Sequence, residues 1–582
     1  MKIKSALVLL FLGFTLALNA QVASDPFDFF YTDLAIWETS GLVNNLPAAR
    51  PYPLQLVKEI LRTVIEKGDA DQRKNAQAHY ARFFGRIVTL GGKSEAVIDT
   101  AESRKQIAVA IAFKLNYEIE DYLTASGSME GWATNKLPSM EVLPAWQKSV
   151  KDIVEDNAKI GPFWILPSID SSVAVGTTEY YLNAGLMRGT YGPFQSNGVI
   201  VGSQALHSGQ YSFAVNKSKW GFNLSLYSLT ADNGYAKKYI KEAPPGAKGN
   251  WYPEKYLSVH SFDYRPFDWL SVSFLESIMF GGRLDLMYLL PMAPYLISQS
   301  QTGFVDNSYL GGMFTVKPIK GLKIDGVLYA DDLSFNDIAH LKFDTKWRLA
   351  GQLGTSYVPR KSGIFTIASI DYTMITPYTY SHKNGDPLDL SVPNYQNYLH
   401  ADNSFGAALD PNSDRINLKI TMRPLEGVDF DLVGIMIRHG NVNEGMDAAR
   451  IKEYLTVENT YITDGTILNS SGTDSGHAFN YSTPFLTQDT IQYIWQTGFD
   501  AVCRLPVLKT GGYMVFRFGY RFECNINDGI NSRVYTYDET LGITATDADI
   551  AAAAAAQLSA WKHEATGTVF NNYISAGFEY YY

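Results

Sequence analysis

The side chains with which this chain could do chemistry are nine histidines, two cysteines and a scatter of carboxylates and arginines. His79, His207, His260, His340, His382, His400, His439, His477 and His563 lie far apart, and none stands at metal-ligand spacing from a cysteine or a second histidine. No Gly-x-Ser-x-Gly elbow for a nucleophilic serine is present. The adjacent pair Asp331-Asp332 has the charge to hold a cation, but neighbouring carboxylates more often face water in a turn or a polar interior. Gly281-Gly282 reads as a turn. The expectation is a protein without catalysis, cofactor or metal. Two charged residues inside strand-like segments remain as ligand-binding candidates. Arg188 lies between Gly185 and Gly189, and Glu276 lies between Phe274 and Ile278. Sugar contact is one role for each. For Arg188 the weightier role is bracing an interior through ion pairs, and for Glu276 it is a bulge or strand end that turns the carboxylate inward.

The elements that must position them begin with an export segment. Lys2 and Lys4 precede an apolar run from Ala6 to Leu18, and small and polar residues follow, with Ala20 or Ala23 as cleavage points. Asn19 and Gln21 cut that run short of the ~20 residues that a spanning helix needs. Further on, the longest apolar candidate, Leu284 to Ile297, carries Asp285 and two prolines. The exported chain is therefore a periplasmic protein, a secreted one or a barrel, since only helices and closed barrels satisfy their backbone in lipid. A net charge of −10 argues against nucleic acid. Cys503 and Cys524 are too few for a disulfide framework.

Periodicity decides for the barrel. Met514, Phe516, Phe518, Tyr520, Phe522 and Cys524 share one face of a strand, against Tyr513, Val515, Arg517, Gly519, Arg521 and Glu523 on the other. Aromatics make up 13% of the chain and charged residues 19%, as aromatic girdles around a polar lumen require. Ile416, Leu418, Ile420 and Met422 alternate with polar residues up to a turn at Leu425-Glu426-Gly427, and Val428, Phe430 and Leu432 lead back. Tyr211, Phe213 and Val215 are joined to Phe222, Leu224 and Leu226 in the same way. A turn near Lys509-Thr510-Gly511 sets Cys503 opposite a residue around Arg517, out of register with Cys524. The chain stops on Tyr582 after an alternating Phe570, Ile574, Ala576, Phe578 and Tyr580, like the terminal assembly signal that barrel assembly machinery reads in outer-membrane proteins.

Between the leader and these strands the period is helical. Leu54, Val57, Ile60, Leu61 and Val64 follow Pro53, and Gly68 closes the helix. Shorter helices are expected over Asp33 to Thr39 and Ala70 to Phe84. The organisation is a signal peptide over 1–20, a periplasmic helical bundle over 21–90 and a barrel with extracellular loops over 91–582. The fold class is an all-β transmembrane barrel, antiparallel, of roughly 16–18 strands with a small N-terminal helical domain. Loops are expected over Asp402 to Asp414, Asn441 to Asp447, Thr463 to Gln488 and Tyr535 to Gln557. The last contains six consecutive alanines and should be helical. Met129 to Ile160 reads as a partly helical loop or an inserted plug.

The stretch from Tyr31 to Leu42, with Leu46-Pro47 and Arg50-Pro51-Tyr52-Pro53-Leu54, resembles the helical start of Wzi-like capsule assembly outer-membrane proteins. Leu182 to Ala205, with Gly192-Pro193 inside it, resembles that family's early strand, although Tyr191 stands where the family shows tryptophan. Leu275-Glu276-Ser277, Gly281-Gly282, Tyr288-Leu289-Leu290-Pro291, Asp306-Asn307 and Leu328 to Asp332 follow in an order similar to the family's landmarks. The resemblance implies a large barrel in the outer membrane, in contact with its lipid, that binds or helps attach a surface (capsular) polysaccharide. The residues by themselves support a porin or substrate-specific diffusion channel equally well.

Overall fold

The computed structural model describes residues 25–582 except 121, 138–141, 143–157, 195–196, 232–253, 292, 302, 304–305, 333–347, 361–362, 383–393, 402, 459–484, 508–511 and 542–544. The expected signal peptide and most of the loop from Thr463 to Gln488 lie outside the described residues.

Three helices come first: α1 (Phe29–Thr39), α2 (Leu54–Lys67) and α3 (Ala70–Phe84). The Asp28 side chain caps α1 by accepting from Phe30 N–H, and Asp69 with Gln72 forms a reciprocal box at the start of α3. In α2 the buried Leu54, Val57, Ile60, Leu61 and Val64 make the apolar stripe, and the Gly68 N–H ends the helix on the Val64 carbonyl. Phe30, Trp37 and Phe83 pack edge-on or stacked around His79 to form the bundle core.

From Val88 onward the chain runs as eighteen antiparallel strands closed into a barrel. They are β1 (Val88–Asp99), β2 (Lys105–Glu120), β3 (Leu123–Thr134), β4 (Phe163–Gly176), β5 (Tyr180–Met187), β6 (Ser208–Asn216), β7 (Trp220–Thr230), β8 (Glu254–Phe267) and β9 (Leu270–Gly281). Then follow β10 (Asn307–Ile319), β11 (Leu322–Asp332), β12 (Arg348–Tyr357), β13 (Phe365–Ile375), β14 (Ser413–Leu425), β15 (Val428–Gly440), β16 (Ile491–Val507), β17 (Gly512–Ile526) and β18 (Thr568–Tyr581). The seam closes where β1 pairs with β18, Gly91 opposite Tyr581. Gly91 is needed there, because a Cβ would stand 2.4 Å from the Tyr581 ring. The loops beyond the barrel carry α4 (Tyr295–Gln299), α5 (Ala448–Thr456) and α6 (Asp547–Ala565).

Alternation sorts the wall. Ile107, Val109, Ile111, Phe274, Leu353, Ile370, Phe516 and Phe518 are exposed on the outer face as an apolar belt. At the end with short turns and the C-terminal strand end, Tyr117, Tyr122, Tyr180, Trp220, Phe267, Trp269, Tyr357 and Tyr582 are exposed as an aromatic girdle. Among the described residues no helix is long and apolar enough to cross a membrane.

Two sequence expectations are corrected. Met129 to Thr134 is not loop but the second half of β3, paired with β4, because its inward residues alternate with outward ones as elsewhere in the wall. The expected loop from Asp402 to Asp414 gives way at Ser413 to β14. Cys503 lies opposite Phe516 and Cys524 opposite Trp495, so the two thiols are free.

Candidate functional site

The interior divides into two unlike regions. On the side of β7 to β13, the inward residues Tyr227, Leu257, Leu275, Tyr309 and Tyr329 are fully buried against chain that folds into the lumen from two loops. One loop brings Val199, Ile200 and Val201, and the other brings Tyr380, Tyr398 and Phe405. Their contacts are specific. Tyr398 Oη donates to the Ile200 carbonyl at 2.8 Å and lies 3.1 Å from Tyr329 Oη. The Lys255 ammonium donates to the Asn397 carbonyl and Oδ1, each at 2.6 Å. Asp331, half of the acidic pair, accepts from the Tyr380 N–H at 2.8 Å and so pins the second loop. The backbones meet at Gly202 and Gly406, where a Cβ on Gly202 would stand 1.8 Å from the Gly406 carbonyl oxygen.

The helical bundle fills the short-turn mouth from the other end. Ala49–Arg50 pairs as a short strand with Thr190–Tyr191 of the first loop, and Arg50 donates to the Gly192 carbonyl at 2.6 Å. Ion pairs fix the rim. Asp33 binds Arg423, which also holds Asp429 at 2.6 Å, while Arg504 reaches the same Asp429 at 2.7 Å. Glu38 holds Lys323 at 2.7 Å, and Lys58 holds Glu118 at 2.7 Å. Within the bundle, burial alone would raise the Asp28 and Asp33 carboxyls. Arg82 beside Asp28 and Arg423 beside Asp33 reverse this and hold both well below the usual carboxylate range. Burial lowers His79 below its ordinary value despite its contact with Asp33. The neutral ring fits its neighbours: Nε2–H donates to Asp33 at 2.7 Å, and Nδ1 accepts from Arg82 at 3.1 Å.

The opposite side, β1 to β5 and β14 to β18, keeps a polar chamber of about 610 Å³. Its walls carry paired charges, Lys93 with Glu130 at 2.5 Å, Arg517 with Glu579 at 2.9 Å and Lys419 with Asp431 at 2.8 Å, and His207 Nε2 lies 2.8 Å from Asp170. Trp132 and Trp164 lie on the inward face of β3 and β4, diagonal to one another, since Trp132 pairs with Leu166 and Thr134 with Trp164. Trp132 Nε1 donates to Glu130 at 3.0 Å, and the Lys159 ammonium lies 4.6 Å from the Trp164 ring centre. A volume of this size, with Phe27, Phe29 and Phe83 in its lining beside these donors and acceptors, suits an uncharged or zwitterionic hydroxyl-rich ligand. Among the described residues no group of three His, Cys, Asp or Glu side chains is placed to hold a metal.

The two candidates from the sequence part company. Arg188 comes just after β5 ends at Met187, so the chain turns inward there and the guanidinium lines the chamber. It stacks over Phe27, 4.4 Å from the ring centre, and donates to the Ser203 carbonyl. Glu276 does not turn inward, and no bulge is present: the pairing of β8 with β9 runs unbroken from Tyr264–Val272 to Lys255–Gly281. It stays on the outer face with the exposed Phe274, yet is buried, because a loop covers it. Trp132, Trp164, Glu130 and Asp170 were not singled out from the sequence. Their inward parity in β3 and β4 is the signal that would have found them.

No family profile matches the sequence, and a search of curated proteins returns no match. Among solved structures the fold is similar to Wzi of Escherichia coli, described as an outer-membrane protein involved in group 1 capsule assembly and a carbohydrate-binding β-barrel. The identity is 10%, the match covers 96% of this chain and 99% of that one, and the TM-score is 0.52. OprD of Pseudomonas aeruginosa matches at 9% identity over 85% of this chain and 94% of that one, with a TM-score of 0.36. OccAB2 of Acinetobacter baumannii matches at 10% identity over 85% and 97%, with a TM-score of 0.39. The chain is an outer-membrane β-barrel.

Proposed function

We propose that this barrel binds a surface polysaccharide without catalysis, and that it is not a diffusion channel. The observation that carries the reading is the packed aromatic core inside the lumen, between inward-folded loops on one side and a salt-bridged helical bundle at the mouth. A porin keeps its lumen wet from end to end. Here one side of the lumen is filled instead, with Tyr227, Leu257, Leu275, Tyr309 and Tyr329 buried against the inward-folded loops. Further along the inward face of β3 and β4, beyond the chamber's own lining, Trp132 and Trp164 supply flat apolar faces, and the paired Glu130, Asp170 and His207 in the lining supply donors and acceptors for hydroxyl groups. Copies displayed side by side on the surface would hold a repeating polymer by avidity. The capsule-assembly protein with the similar fold supports the same reading.

The test is binding of surface glycan from the native cell envelope to purified protein in detergent, with planar-bilayer conductance alongside. The expected result is saturable binding that falls about fivefold in Trp132→Ala, as loss of one aromatic contact of about 1 kcal/mol implies, and no large open-pore current. Large steady currents without glycan binding would establish the channel instead. Deleting the gene should also lower the polysaccharide retained on cells.

A further inference from the structure

We infer that the described residues between Gly282 and Asp306 form a membrane-seated clasp: an outer loop that lies down on the barrel wall and buries its outward face in lipid acyl chains. The first observation is where it lies. On β9, Val272 and Phe274 are exposed on the outer face, but Glu276, Ile278 and Phe280, on the same face, are buried. Ile278 and Phe280 form a closed cluster with Tyr288 and Tyr295 of the loop, against Leu226 and Tyr256 of the neighbouring strands. The loop thus covers outer wall that would otherwise continue the apolar belt.

The second observation is its seat. A carboxylate and an imidazole on a lipid-facing wall are costly unless they are satisfied. Glu276 accepts from the Tyr295 N–H at 2.8 Å and lies 3.1 Å from His260 Nε2. Ser258 donates to the Tyr288 carbonyl at 2.8 Å, and the Tyr295 ring stacks on His260 with centres 4.1 Å apart. The loop base is tied by Arg283 to Asp306 at 2.6 Å, with Tyr288 Oη donating to the same carboxylate at 2.7 Å. These polar groups therefore serve the clasp, and their position on the outer face needs no bulge.

The third observation is what the clasp shows outward. Leu284, Leu286, Leu290 and Ile297 are exposed, between 47% and 68%. A loop in water has no reason to present four large aliphatics. A surface continuous with the belt of Phe262, Phe274 and Leu328 has one, because the burial they forgo in protein is supplied by acyl chains.

The experiment places a bimane label on the full-length protein in phosphatidylcholine vesicles with brominated acyl chains, after Cys503→Ala and Cys524→Ala. Leu286→Cys and Ile297→Cys are the test sites. Phe274→Cys on the bare belt and Tyr537→Cys on an outer loop are the lipid and water references. Heat-modifiable gel mobility selects the folded fraction. Blue-shifted emission and quenching at both test sites matching Phe274→Cys is the expected result. Emission and quenching like those at Tyr537→Cys overturn the proposal. So does protection from both lipid and aqueous quenchers that grows with protein density, which would put a second copy on this face. Glycan binding is read separately on the same variants, so failure of the clasp leaves the binding reading standing.

Discussion

The two halves of the barrel interior are built from the same alternating strands and carry opposite contents. Along β7 to β13 the inward residues that meet the infolded loops include Tyr227, Leu257, Leu275, Tyr309 and Tyr329, packed dry against loop residues. Along β1 to β4 and β14 to β18 the inward residues that line the chamber include Lys93, Glu130, Asp170, Lys419 and Arg517. The difference shows that a barrel interior need not be polar. It takes the polarity of what lies against it, and an aromatic wall marks where chain folds in.

The comparison can be broken most sharply by deleting one side chain from each half. Tyr398→Ala opens a hole at the centre of the dry half and is expected to cost about 3–5 kcal/mol, seen as earlier loss of the heat-modifiable form. Arg517→Ala in the wet half, where the partners are partly solvated, should cost under about 1 kcal/mol by the same assay. Equal losses would mean that the halves are not energetically distinct.

Next comes the bundle that caps both halves. Asp33→Ala leaves the Arg423 guanidinium with one carboxylate and His79 with none, and should cost about 3 kcal/mol of docking, read as faster hydrogen exchange across α2 and α3. Acid should release the same cap in two stages. His79, held below its ordinary value, stays neutral in the docked state, while the released ring gains a proton below about pH 6.5. Stability therefore begins to fall as pH drops through that value. Asp28 and Asp33, held low, contribute stability that is full above about pH 4 and is lost as pH falls through their depressed values. Hydrogen exchange that is flat between neutral pH and pH 5 would refute the first stage.

A small effect of the opposite sign sharpens the border between the halves. Arg415, on the inward face of β14, is fully buried, and none of its three guanidinium nitrogens makes a hydrogen bond. Replacing a buried charge that makes no hydrogen bond and feels only the pull of Asp371 with an apolar chain of similar length, Arg415→Met, should stabilise the barrel by about 1 kcal/mol. A loss of stability would mean that Asp371 serves the arginine as a counter-ion inside the lumen.

Much of this was legible in the chain. The period of two gave the wall, the facing of the strands around 211–226, 416–432, 513–524 and 570–582, and the turns at 425–428 and 216–220, since a register slip would turn a whole face from lipid to lumen. The helix over Leu54 to Val64 was equally plain from its stripe. The start of α1 was not, because that helix is buried on most sides and shows no clean polar face. The candidate site was legible only as parity: strand alternation put Arg517 inside, but it could not tell a chamber from a packed core.

The sequence by itself determined the closed antiparallel barrel, because alternation and backbone satisfaction in lipid are local rules that each strand obeys alone. Only the tertiary structure decided which lumen wall is dry, where Arg188 points and why Glu276 tolerates the lipid face. Those depend on loops returning across more than 100 residues, as from Ile200 to Tyr398, and no window of sequence carries such a contact.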